Sequence, residues 1–235
     1  MLLMKQGFLF LGLAGCFVVI GLILEPLFAR VAVWWMAVTA AWVAVGYLGL
    51  GSRVFGKRAE GTVRPVCLAV MLPYISAGIV SAALFRGIMR EPAIAQVDDR
   101  LYFGRRLMAW ESWRLEQRGI VAVLDLTGAF PEPRAIRAGR AYRSICLLDT
   151  TAPPLDVLTD AVNWLLEQSE AGPVYVHCAI GHGRAGMMAA AYLLVTGKST
   201  SVEDCVEVLR GVRPLLSISS LQRARLEELA NSIAR

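Results

Sequence analysis

Three stretches in the first third of the chain, residues 7–24, 31–51 and 66–85, are apolar and almost uncharged. Each approaches the roughly 20 residues that a helix needs to cross a bilayer. Further on the pattern changes. Residues 98–104 read as a short strand ending at Gly104, 120–126 as a buried strand rich in β-branched residues, 141–148 as another strand and 174–176 as a short β-branched run. Residues 154–170 carry Leu155, Leu158, Val162, Leu165 and Leu166 at helical spacing. Residues 187–195 have helical length, and 110–117 suit a short helix. Pro131 and Pro133 break the segment between the second and third strands. Two more helices are expected, 202–210, opened by a Thr200…Glu203 capping box, and about 219–234. Strands alternating with helices predict an α/β domain with a mainly parallel sheet flanked by helices, preceded by transmembrane helices. The expected layout is a membrane anchor of about three helices over 1–86, a linker over 87–97 and a globular domain over 98–235.

Composition sharpens this division. The chain has 235 residues, a formal net charge of +5 and 56% hydrophobic residues, a high fraction for a soluble protein. Lys5 and the Leu13-Ala14-Gly15-Cys16 run resemble a lipoprotein signal, but Phe17–Ile20 stay apolar where a processed chain turns polar, favouring an uncleaved helix. Arg53, Lys57, Arg58 and Arg64 argue for one membrane orientation, and Arg86, Arg90 and Arg100 for the other. Five cysteines at unpaired spacing give no disulfide framework, and two close histidines give no zinc pattern. No nucleic-acid recognition fold or aromatic stacking platform stands out.

The chemistry concentrates in Val174-Tyr175-Val176-His177-Cys178-Ala179-Ile180-Gly181-His182-Gly183-Arg184-Ala185-Gly186. Strand, glycine-bearing loop and helix in that order aim backbone N–H groups and a helix N-terminus at one point, an anion site. A thiol there, beside an arginine, is favoured as the thiolate, the form that attacks. The arginine fork grips two phosphate oxygens at once. The His-Cys pair, five intervening residues and Arg184 resemble the signature of the cysteine-dependent protein tyrosine phosphatase superfamily. The resemblance to its compact dual-specificity branch covers about 98–235. One departure is Ala185, where that family usually has Ser or Thr.

The resemblance implies phosphate-ester hydrolysis with Cys178 as nucleophile, Arg184 and the loop residues Ala179, Ile180, Gly181, His182 and Gly183 binding the phosphate, and His177 holding the cysteine loop. It implies neither metal nor cofactor. The leaving oxygen needs a proton from a separate loop, and Asp149, some thirty residues before the cysteine in the family's acid position, is the expected donor. Asp156 is the runner-up inside a predicted helix, and Asp125 reads as structural. Arg134, Arg137, Arg140 and Arg143 recur every third residue, as a solvated basic edge or as a face for an anionic partner. The substrate is expected to be a phosphorylated protein or a membrane lipid phosphate. A reactive thiol favours a cytoplasmic catalytic domain. Rival readings are a slow-turnover phosphate-binding module and, less well matched, a sulfur transferase. Low-molecular-weight phosphatases place the cysteine before the acid, opposite to the order here.

Overall fold

A computed structural model describes residues 2–89 and 91–233. The chain divides into two compact units, Met1–Arg58 with Thr62–Met89 and Gly128–Pro131, and Ala59–Gly61 with Arg90–Thr127 and Glu132–Arg235.

The first unit holds helices α1 (Leu2–Ile23), α2 (Leu27–Val45) and α3 (Pro65–Met89). α2 continues as a π-turn, Gly46–Leu50, and a 3₁₀ turn, Gly51–Phe55. All three helices are long and apolar enough to cross a membrane. Small residues allow close approach: a Cβ on Gly21 would lie 2.3 Å from the Trp34 indole nitrogen. The few polar groups bond across the helices. The Thr39 hydroxyl donates to the Val70 carbonyl (2.6 Å) and the Trp35 indole to that of Ala69 (3.1 Å). Ile23, Phe28 and Val66 point apolar surface outward, the arrangement lipid accepts and water does not.

The second unit is a five-stranded sheet in the order β1-β2-β5-β3-β4, where β1 is Ile94–Gln96, β2 Leu101–Arg105, β3 Ala122–Thr127, β4 Ala141–Leu147 and β5 Val174–Cys178. β2, β5, β3 and β4 run parallel, and β1 pairs antiparallel with β2. The short α4 (Trp113–Glu116) and α5 (Arg134–Arg137) join the longer α6 (Leu155–Ala171), α7 (Gly183–Val195), α8 (Val202–Val212) and α9 (Ser220–Ile233). Alternation along the strands builds both faces. Leu124, Leu126, Val174 and Val176 pack with Leu158, Leu165, Met187, Leu209 and Leu226. Val123 and Tyr175 pack with Leu107, Leu115, Ile120 and Ile136. α7 is buried from Arg184 to Leu194, and its Ala189-Ala190-Ala191 run lets it sit close under the sheet.

Several sequence expectations are refined. Residues 94–96, within the stretch read as linker, are the edge strand. The 110–117 segment splits into a 3₁₀ turn, Ala109–Glu111, and α4. The cap of α8 is Ser201, whose hydroxyl accepts from the Asp204 N–H; no Thr200…Glu203 box forms. Three of the four periodic arginines make contacts within the fold, and Arg134 is exposed. Arg137 donates to the carbonyls of Glu132 and Glu60, Arg140 to Ile120 and Ala135, and Arg143 pairs with Asp160.

Candidate active site

The four parallel strands deliver their carboxyl ends to one edge of the sheet, where open α/β folds place their ligand crevices. Strand parity sets the first residues. Val174, Val176 and Cys178 share one face of β5, and Tyr175 and His177 the other. Cys178 is almost wholly buried, and its sulfur accepts the Gly181 N–H at 3.2 Å. Gly181 has φ +89, and a Cβ there would lie 2.3 Å from the Gly104 carbonyl carbon, so both its conformation and its crowding require glycine.

Arg184, in the first turn of α7, is buried. One guanidinium nitrogen donates to the carbonyls of Leu126 (3.2 Å) and Leu147 (2.8 Å), the ends of β3 and β4. The other lies 3.3 Å from Asp149 Oδ1, and Asp149 is otherwise largely exposed. The Asp149 loop is held from below. Ser219 Oγ donates to the Thr150 carbonyl (2.8 Å) and Gln222 Nε2 to that of Thr151 (2.9 Å). Thr150, at φ 63, is the one non-glycine with positive φ among the described residues, and such conformations persist only where the surroundings hold them. Asp156 lies in the first turn of α6, exposed and inside the helix.

Beneath the loop, His177 is fully buried and stacks on Tyr175 with centroids 5.6 Å apart. Its Nε2 lies 3.6 Å from Glu132 Oε1 and 3.9 Å from Asp125 Oδ1. The His177 side chain, which the resemblance implies holds the cysteine loop and which is grouped with the substrate-binding residues on that account, is turned by strand parity to the face opposite Cys178. Asp125, Glu132 and His177 are close enough to hold a cation. Asp125 already accepts from the Thr127 N–H and hydroxyl and from the Tyr142 hydroxyl, so its oxygens are engaged within the fold. Burial, and then the negative Asp125, keep the Tyr142 phenol protonated far above its usual range.

At the crest, His182 Nε2 lies 2.5 Å from Glu91 Oε2. Arg213 is buried and donates to the carbonyls of Pro92 (2.8 Å) and Ile180 (2.9 Å), with Glu91 at 3.2 Å. Burial alone would raise the Glu91 carboxyl, but the bond to His182 and the charge of Arg213 hold it below the ordinary range. Ile180 is exposed at the mouth, and Ala179, His182 and Gly183 are partly so.

Comparison with known proteins agrees with this geometry. The family model of a polymorphic-toxin-system DSP-PTPase phosphatase (Tc-R-P) matches residues 89–198. The phosphatidylglycerophosphate phosphatase PTPMT2 of Arabidopsis thaliana is 28% identical over 141 residues, 57% of this chain and 61% of that protein. The phosphatidylglycerophosphatase and protein-tyrosine phosphatase 1 of Rattus norvegicus is 35% identical over 86 residues, 36% of this chain and 44% of that protein. The crystal structure of PTPMT1 superposes with a TM-score of 0.55 at 25% identity, covering 60% of this chain and 96% of that one. The chain thus spans less than two thirds of the curated relatives it matches.

This is a compact dual-specificity phosphatase-like member of the protein tyrosine phosphatase superfamily.

In this phosphatase domain Gly181 meets Cys178 across the loop and Arg184 meets Asp149, while Asp125 and His177 lie together in the support below. Sequence reasoning missed Glu91, Glu132, Arg213, Ser219 and Gln222. Arg213 alone carried a cue, an arginine set directly before Pro214 at the end of an amphipathic helix. Gly181→Ala should lower turnover of an aryl phosphate by about a hundredfold or more, the effect of misplacing reacting groups by an ångström. Vanadate titration of the variant should show weakened binding, because the loop itself is displaced.

Proposed function

We propose that the chain is a membrane-anchored phosphomonoesterase that works through a phosphocysteine, with lipid phosphates as its principal substrates. The observation that carries the reading is the combination of a buried Cys178 sulfur accepting a backbone N–H, a guanidinium fixed by two strand ends and an exposed carboxylate on that guanidinium. In the first step Cys178 Sγ attacks phosphorus as the bond to the ester oxygen breaks. Asp149 protonates that oxygen as it leaves. An entering phosphate would take the guanidinium edge that Asp149 occupies, turning the carboxyl toward the leaving group. The loop N–H groups and Arg184 hold the non-bridging oxygens. In the second step Asp149 takes a proton from water, the water oxygen bonds to phosphorus and the thiolate departs.

Two features favour lipid. The three N-terminal helices suit a membrane, and both curated relatives carry phosphatidylglycerophosphate hydrolysis in their names. The rat relative's name also includes protein-tyrosine phosphatase, so phosphoprotein is the competing substrate. We place the catalytic domain on the cytoplasmic side, because all five cysteines are free thiols and a reactive one survives best in a reducing compartment. A second reading, a slow-turnover phosphate-binding module, rests on Ala185.

Turnover of phosphatidylglycerophosphate in mixed micelles, compared with phosphotyrosine and phosphoserine peptides, tests the substrate class. A higher kcat/KM on the lipid is expected, and preference for a peptide overturns it. Asp149→Asn should slow alkyl phosphates far more than activated aryl phosphates, which need little protonation; equal losses remove Asp149 from the acid role. Ala185 offers no hydroxyl to the sulfur as it is expelled from the phosphocysteine. A hydrogen bond to a charged group is worth on the order of 1.5–3 kcal/mol, about ten- to a hundredfold in rate. A product burst before a slow steady state is therefore expected, and Ala185→Ser should speed the steady state and shrink the burst. Absence of a burst in the native protein removes the case for slow turnover.

A further inference from the structure

Trp110 is 75% exposed, and among the described residues of the second unit no other large apolar side chain exceeds 48%. Trp113, 45% exposed, follows it on the same turn, with the Arg114 guanidinium 4.7 Å from its ring. The turn is firmly built. Glu111, itself buried, accepts both arms of the Arg105 fork (2.9 and 2.6 Å) and the Met108 N–H (3.1 Å). Burial would raise that carboxyl, but Arg105 and the Met108 N–H hold it charged. An indole displayed on so rigid a platform is held out toward something that accepts it.

The place of the turn says what. Arg105 is the register partner of Cys178, and the Arg106 N–H donates to the Cys178 carbonyl at 2.7 Å, so the tryptophans stand at the catalytic edge of the sheet. The antiparallel β1, with Ile94 opposite Gly104, brings the incoming chain to that same edge. Glu91, bonded to His182 of the phosphate loop, is only the second residue after the apolar α3 ends at Met89, and each residue spans at most about 3.6 Å. Indole rings flanked by arginines match the headgroup layer of a bilayer, where tryptophan and basic side chains concentrate.

We propose that the Met108–Trp113 turn is a membrane-docking surface: Trp110 and Trp113 enter the headgroup layer of the bilayer and hold the mouth of the active site against it. This rests on the anchored, lipid-directed reading above and adds to it the surface that presents the lipid phosphate.

The test uses the full chain reconstituted into phosphatidylcholine–phosphatidylglycerol vesicles. Flotation comes first; protein that stays out of the vesicles overturns the anchored reading and this surface with it. The fluorescence contributed by the two indoles is the difference between native protein and Trp110→Phe/Trp113→Phe. It should be quenched when the vesicles carry brominated acyl chains. Trp110→Ser/Trp113→Ser should hydrolyse vesicle-borne phosphatidylglycerophosphate about tenfold more slowly, while its turnover of soluble para-nitrophenyl phosphate stays within about twofold of native. Protein that floats but shows an unquenched difference, with native activity on the vesicle lipid in the serine variant, overturns the docking surface and leaves the anchored phosphatase standing. Equal loss on both substrates also overturns it, by assigning the tryptophans to folding or to a protein contact.

Discussion

A buried guanidinium is the constraint around which the catalytic end of this domain is arranged. Arg184 is charged at any accessible pH and nearly excluded from water, so its donors need partners. It finds them in the carbonyls that end β3 and β4 and in the carboxylate just beyond β4. One side chain thus ties three chain-distant segments to the first turn of α7. The Asp149 carboxylate, 3.3 Å from the second nitrogen, is the anion that faces that charge.

The remaining supports follow from burying polar groups around the cysteine loop. His177 must lie on the face opposite Cys178, and the fold meets it there with carboxylates and an aromatic ring. Arg213 closes the crest by binding two carbonyls from segments far apart in sequence, Pro92 and Ile180. For Arg213 this meets the rule that a buried polar group needs a partner, and its partners come from different segments. The loop is consequently held from below, above and behind before any ligand arrives.

This explains what could be read from sequence. Cys178, Arg184 and the crowded Gly181 occupy one contiguous loop whose spacing carries its own meaning, and Asp149 sits in a proline-flanked turn at a recognisable distance before it. The long strands and amphipathic helices announce themselves by period. Glu91, Glu132, Ser219 and Gln222 work only through tertiary contacts, so no local pattern marks them. β1 has three residues, too few for alternation to show. The four regularly spaced arginines looked like a surface device because periodicity records facing and not partners; in the fold they mostly serve backbone carbonyls.

The antiparallel edge strand has a bearing on how this domain is divided from what precedes it. Homology to compact phosphatases suggests a cut near Asp98, yet a fragment beginning there would lack β1 and the carboxylate that His182 and Arg213 share. In sequence, the end of the apolar α3 at Met89 and the first residue tied to the cysteine loop, Glu91, are therefore separated by Arg90 alone. Any shuffling of this domain onto another N-terminal segment has to carry Glu91 along.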